Sequence, residues 1–225
     1  ARALARREQR VLVVDLNPQN FTLSTLLDCA ERPPIYTLAV IQERAPHAAS
    51  HPTPDPNTKL LPLRLPASPL PRHSADLMQW LRRANADWVL LDLPCGFEPY
   101  LISLLLGSDL PVLVSTPDPA ALVACGAFLR ACLLHTLRQH PDLSPAALEA
   151  LQDPVFDTLW RWPQLVERLP EGRDRDELLS QTCTHITLGL LINQTRETSE
   201  ADQALALSHA WGLEIGVWPR PLGTV

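Results

Sequence analysis

Lysine is all but missing from this chain: Lys59 stands alone against eighteen arginines in 225 residues. Glycine is sparse as well, at eight residues, and no glycine-rich run leads into a lysine. A loop that wraps phosphate needs glycine, so that backbone N–H groups can approach closely, and a lysine to neutralise charge. Lys59 lies in Asp55-Pro56-Asn57-Thr58-Lys59 with no glycine beside it, so no such loop can be drawn from these residues. The five cysteines (Cys29, Cys95, Cys125, Cys132, Cys183) are odd in number and form no CxxC pair. That excludes a zinc ribbon and a disulfide framework and leaves free thiols. The seven histidines contain no HExxH, which weakens any metalloenzyme reading. No apolar run approaches the roughly 20 residues that span a bilayer. A net charge of −6 argues against a nucleic-acid surface.

Hydrophobic content of 46% and charged content of 20% describe a globular chain long enough for one α/β domain. Val11-Leu12-Val13-Val14 is a continuous, mostly β-branched run, as in a strand buried on both faces, and it ends on Asp15. Trp88-Val89-Leu90-Leu91 ends in the same way on Asp92 and then breaks at Pro94 and Gly96. Further strands are expected at Val112–Ser115, at His185–Ile192 ending on Asn193-Gln194, and at Glu214–Val217 before Pro219. Helices are expected over 1–9, from Leu23 to Cys29 with Thr22 as cap, from Ser74 to about Asn85, at 99–106, at 120–138 and at 199–211. Strands alternating with helices through short loops predict βαβ units and a parallel sheet.

Two stretches interrupt that rhythm. Residues 31–73 carry ten of the 23 prolines and read as a loop excursion, with Lys59–Leu63 the best short strand inside it. Residues 141–182 read as a polar, helical insertion containing Trp160 and Trp162. The whole is read as a single domain, 1–225.

Right-handed crossovers bring the carboxyl ends of parallel strands to one edge, where ligands bind. Asp15, Asp92, Thr116 and Asn193 fall at such ends. Two carboxylates there suit Mg²⁺, which takes hard oxygen ligands, often through water. Each has an ordinary reading: Asp92 alone is a cap or turn residue, Cys95 a structural thiol, His135 and His140 helix-end residues. Gln19 and Asn20 are loop residues, and the arginine pairs are solvated helix faces.

Taken together these segments resemble the MinD/ParA-type P-loop ATPases. Val11 to Gln19 is similar to the segment after the family's first helix. Asp92-Leu93-Pro94-Cys95-Gly96-Phe97-Glu98 is similar to its Asp-x-Pro-x-Gly motif on the Walker B strand. Val114 to Pro119 resembles the next strand and its Thr-Pro turn. Leu191-Ile192-Asn193-Gln194 resembles the strand whose asparagine contacts adenine, and Val217-Trp218-Pro219 the turn beyond it. Asp87, Phe128-Leu129-Arg130 and the 141–182 block look most like the FlhG-type, flagellar-number branch.

The resemblance implies a doubly wound, mostly parallel sheet with helices on both faces and ATP with Mg²⁺ as cofactors. It also implies an ATP-dependent homodimer acting as a cytoplasmic positional switch, with peripheral contact to the inner membrane. Asp15 would be the switch-region acid and Asp92 the Mg²⁺ anchor through water. Pro94, Asn193 and Pro219 would line the nucleotide. Two departures bear on activity. Asn17 stands where the family has a second acid, and asparagine cannot pull on Mg²⁺ as a carboxylate does. The family's first strand and P-loop have no counterpart here. Since the chain opens inside a helix with no initiator methionine, the expectation is that both precede Ala1, and that ATP hydrolysis depends on them. The alternative is a MinD-like scaffold that binds a protein partner without nucleotide. No nucleic acid is expected, and no amphipathic C-terminal helix is seen before Val225.

Overall fold

A computed structural model of the chain describes residues 1–17, 22–29, 35–37, 44–64, 71–141, 143–152, 162–169, 173–195 and 197–224. Gln19, Asn20 and Trp160 lie outside the described residues. The backbone gathers into two compact units, Ala1–Leu104 and Leu105–Val225.

The first unit runs α1 (Arg2–Ala5), β1 (Val11–Asp15), α2 (Thr22–Leu26), β2 (Tyr36–Thr37), α3 (Pro46–Ala49), β3 (His51–Pro52), β4 (Thr58–Arg64), α4 (Pro71–Leu81), β5 (Trp88–Asp92) and the start of α5 (Pro99–Leu106). Its sheet has the order β2-β4-β1-β5, with β3 added antiparallel to β4. The other pairings are parallel. All five residues of β1 are buried, because it lies between β4 and β5 and packs side chains into a cluster on each face. Side chains alternate across a strand, and the packing follows that period. Leu12, Val14 and Leu16 join Leu61, Leu63, Leu77, Trp80, Leu81 and Leu104 in one cluster. Val11 and Val13 join Leu60, with Leu4 and Leu23 packed against them, in another. The two clusters identify the layers of a sheet wound on both sides.

The Pro-rich excursion is more ordered than expected. In place of a five-residue strand at 59–63 it supplies the seven-residue β4, an interior strand. Pro62 falls between the segment that pairs with β3 (Lys59, Leu60) and the segment that pairs with β2 (Leu63, Arg64). That is where a missing N–H disturbs the ladder least. α4 begins at Pro71, ahead of the expected cap Ser74, since proline suits a first helical turn. Trp80, 2% exposed, anchors this helix: its indole N–H donates to the Arg44 backbone oxygen at 2.7 Å.

The second unit holds β6 (Val112–Ser115), α6 (Pro119–Arg138), α7 (Pro145–Ala150), α8 (Trp162–Arg168), α9 (Arg173–His185), β7 (Gly189–Ile192), α10 (Thr198–Ile215) and β8 (Arg220–Thr224). Its sheet is β6-β7-β8, parallel throughout. Asp118 caps α6, its Oδ1 accepting from the Ala120 and Ala121 N–H groups at 2.9 and 3.2 Å, and Pro119 follows in the first turn. Length and composition alone would let α6 cross a bilayer, but Leu122, Cys125, Leu129, Cys132, Leu133 and Leu137 form a buried stripe at helical spacing. At Gly126 a Cβ would sit 3.0 Å from the Trp211 indole nitrogen, so glycine lets α6 and α10 approach closely. Burial pushes the Cys132 thiol up to about 12 and that of Cys183 to about 11, which makes both inert at neutral pH.

In the first unit the helix expected over 1–9 is formed only at Arg2–Ala5, and α4 ends at Leu81, short of Asn85. In the second unit two boundaries depart furthest from expectation. The strand expected from His185 begins only at Gly189, because α9 continues to His185. The strand expected at 214–217 is not formed. α10 runs on to Ile215 and is closed by Gly216 in the left-handed region, φ 79°, and the last strand is β8.

Opposite the carboxyl edge of the first sheet, Arg10 ties β1 to β5. Its guanidinium donates to Asp87 from Nη2 at 2.7 Å and Nε at 3.2 Å, and to Asn85, while its backbone N–H reaches Asp87 at 2.8 Å. These bonds hold the Asp87 carboxyl down to about 2. A carboxyl depressed by folding stabilises above its unfolded value of about 4 and loses that contribution as pH falls toward about 2. Asp87→Asn is expected to remove the part of acid unfolding that falls in that window, followed by tryptophan fluorescence; an unchanged acid limb would contradict it. Trp80→Ala is expected to cost about 3–5 kcal/mol, and Trp80→Phe about 1–2 kcal/mol for the lost bond and volume, in urea denaturation. A change under about 0.5 kcal/mol for Trp80→Ala would refute the anchoring role.

Candidate functional site

Asp15 and Asp92 are register partners on neighbouring parallel strands, each the last residue of its run. Neighbouring strands lie about 4.8 Å apart, so two carboxylates begin side by side at the carboxyl edge. Asp15 is 3% exposed, whereas Asp92 is exposed to solvent. The Asp15 carboxylate accepts the Asn17 backbone N–H at 2.9 Å, and the Leu16 N–H donates to the Asp92 backbone oxygen at 3.1 Å. Burial raises the Asp15 pKa most; the Asn17 N–H opposes this, and the Asp92 charge adds to the rise. Loss of water raises Asp92 too. An electrostatically strained acid pair open to solvent on one side is suited to a hard cation.

The surrounding residues sort themselves. Asn17 contributes its backbone N–H to Asp15, and the residue is exposed. Pro94 and Cys95 lie in the turn between β5 and α5. A Cβ at Gly96 would meet the carboxylate of Glu98, which folds back over it and, as the end of an exposed side chain, can swing aside. The same carboxylate, after burial, raises the Tyr100 hydroxyl. Glu98 is thus a further acid, on the loop that follows Asp92, for which the sequence suggested no role. A glycine two residues before an acid is the signal available. No group of three or more His, Cys, Asp or Glu with metal-binding geometry forms among the described residues, so the acid pair would rely on water or a ligand's oxygens for most of a cation's shell.

Lys59 pairs with Leu12 near the start of β4. Because β4 and β1 are parallel, that is the end of the sheet away from Asp15 and Asp92. It is not a phosphate lysine for this edge.

In the second unit Asn193 follows β7 directly. Its backbone N–H donates to Ser115 O at 2.7 Å, and its side-chain Oδ1 accepts the Gln194 N–H at 2.9 Å. Thr116 follows β6 at the same edge. Pro219 does not join them. β7 and β8 are parallel, with Gly189 opposite Arg220 and Ile192 opposite Thr224. Pro219, just before Arg220, therefore lies at the amino edge and Asn193 at the carboxyl edge. The cause is Gly216, which ends α10 and sends the chain through Trp218 and Pro219 to enter β8 from below. The Trp218 ring lies over Gly212 and edge-on to His209, centroids 6.3 Å apart.

No family model and no curated protein matches the chain. Solved structures do. A ParA family ATPase from Chlorobium tepidum superimposes with a TM-score of 0.57 at 15% identity, over all of this chain and 74% of that one. The MinD cell division protein of Aquifex aeolicus gives 0.55 at 14%, over all of this chain and 72% of that one. The septum site-determining protein MinD of Pyrococcus horikoshii, complexed with Mg-ADP, gives 0.51 at 17%, over 91% and 67%. The chain has the MinD/ParA-like, P-loop NTPase type of α/β fold, a mostly parallel sheet with helices.

A carboxyl raised by folding removes stability as pH climbs through the interval between its unfolded and folded values, and the charged form stays unfavourable above it. Asp15→Asn or Asp92→Asn is therefore expected to raise the Tm at pH 7 in EDTA. A lowered Tm for both would show that burial does not penalise these carboxylates.

Proposed function

We propose that this chain is the switch portion of a MinD/ParA-like ATPase, in which ATP and Mg²⁺ drive association of two copies and hydrolysis resets them. The observation that carries the reading is the in-register Asp15–Asp92 pair at the carboxyl edge of a parallel sheet. Asp92 would hold Mg²⁺ through water, Asp15 would be the switch acid, and Pro94 would shape the loop that follows Asp92 and lines the nucleotide. Asn193 would face the adenine. Pro219 lies at the other end of its strands, which leaves it without a part in this arrangement. The ion would neutralise developing phosphate charge; the carboxylates would fix where it sits.

The acid pair fits a hard cation, but the sequence holds no glycine-rich loop leading into a lysine that would take the triphosphate. The proposal therefore includes a strand and a Gly-Lys-Ser/Thr loop upstream of Ala1, with residues 1–225 and that segment forming one domain. The character of β5 supports a further strand: among the described strands it pairs with β1 alone, and its apolar residues are half-buried, with Trp88 41% exposed. Continuous apolar strands of this kind are those covered on both sides in parallel sheets. Within the family, Asp87, Phe128-Leu129-Arg130 and residues 141–182 favour the flagellar-number branch, a cytoplasmic switch that touches the inner membrane peripherally. A second reading, a scaffold that binds a protein without hydrolysing ATP, draws on Asn17, which offers no charge where the family has an acid.

The full open reading frame tests the proposal first: a Gly-Lys-Ser/Thr loop shortly before Ala1 supports the switch, and its absence removes ATP binding. In the protein with that loop, Asp92→Ala is expected to abolish Mg-ATP-dependent dimerisation in light scattering, and dimerisation that persists would refute the role of Asp92. Duplex DNA is expected not to bind even at low salt.

A further inference from the structure

Among the described residues, three other than glycine hold a positive φ: Glu8 at 61°, Asp28 at 54° and Gln194 at 63°. The first two close helices. The N–H after each reaches back five residues, Gln9 to Leu4 O at 3.3 Å and Cys29 to Ser24 O at 3.0 Å, which is the usual reason for a left-handed residue past a helix end. Gln194 has no helix to close. It follows a strand, and the hydrogen bond made by its own backbone N–H is the one to Asn193 Oδ1, at 2.9 Å. Left-handed backbone is costly for a side chain with a Cβ and persists where something depends on it.

We infer that Gln194 is a positioning residue: its left-handed backbone and its N–H lock the Asn193 carboxamide with the oxygen bonded to the main chain and the Nδ2 amino group left to donate to a ligand. Two bonds make the lock. The Asn193 N–H, bound to Ser115 O at 2.7 Å, pins the residue's backbone to β6, and the Gln194 N–H then fixes the side-chain rotamer. Which end of a carboxamide faces a ligand follows from the bonds its other end makes. Here the other end, Nδ2, is a pair of N–H donors. On the nucleotide reading above, on which this part rests, Asn193 presents donors to an acceptor on the base, such as a ring nitrogen of adenine. A ring that offers only donors at that point is rejected, because a donor facing a donor leaves both unpaired.

The test is side-chain amide NMR on the ¹⁵N-labelled full-length protein. Asn193 is expected to show side-chain N–H signals with the high ¹H–¹⁵N heteronuclear NOE of a rigid amide in the wild type and in Gln194→Gly, which keeps the N–H and tolerates positive φ. In Gln194→Pro, which removes the N–H and forces φ to about −65°, those signals are expected to become mobile, with exchange at the Asn193 backbone N–H unchanged. Gln194→Val, whose N–H remains but whose branched Cβ resists the left-handed region, supplies the same comparison should the proline variant not fold. Equal Asn193 mobility in wild type and in the Pro or Val variant overturns the positioning role. Mg-ATP, titrated into the protein that carries the upstream loop, is expected to shift the Asn193 side-chain signals. A locked amide untouched by bound Mg-ATP upholds the positioning and overturns its assignment to the base.

Discussion

The strand Val11–Asp15 is the constraint on which the first unit depends. It is hydrogen-bonded to β4 on one side and β5 on the other, and its alternate side chains enter the cores of both faces. Burying five consecutive residues leaves no freedom for a polar one unless it comes last. Asp15 therefore stands at the point where the strand leaves the core, and the parallel neighbour β5 places Asp92 beside it. The juxtaposition of the two acids follows from strand direction and register, before any ligand is considered.

Much of this was legible in the chain because its buried strands are continuous apolar runs ending on acids. Such runs do not depend on distant partners for their identity, so β1, β5 and β6 could be read with their ends. α6 was equally plain, from its leucines at helical spacing. What failed was punctuation. Prolines at 62, 66, 69 and 71 suggested loop, yet Pro62 is tolerated inside β4 because two short neighbouring strands leave a break at its position. Ile215-Gly216-Val217 suggested a strand, yet Gly216 supplies a positive φ that ends a helix. That single glycine moves the last strand by several residues and takes Pro219 to the opposite edge from Asn193.

The details of the site were less legible than its members. Nothing in the order Asn193-Gln194 announces a left-handed glutamine, since backbone conformation there is decided by the ladder to Ser115 and by the side-chain bond. The position of Glu98 over Gly96 is likewise a contact between neighbours on a turn, visible only once the turn is built. Asn17 shows the converse. Its side chain drew attention as a missing acid, while the structure uses its backbone N–H to hold Asp15, a service any residue other than proline could perform.

The tie between Arg10 and Asp87 carries one more meaning. Arg10 precedes β1 and Asp87 precedes β5, and the Arg10 backbone oxygen also accepts the N–H groups of Asp87 and Trp88. The two strands are thus indexed to each other at their starting line, five residues or about 16 Å before their acids. A slip of one residue between them would set Asp15 against an apolar neighbour and turn every β5 side chain to the wrong face. The alignment of the charged edge is decided at the far end of the sheet, like the teeth of a zip set at its base. The loops above the acids are then free to vary in sequence without moving the carboxylates they surround.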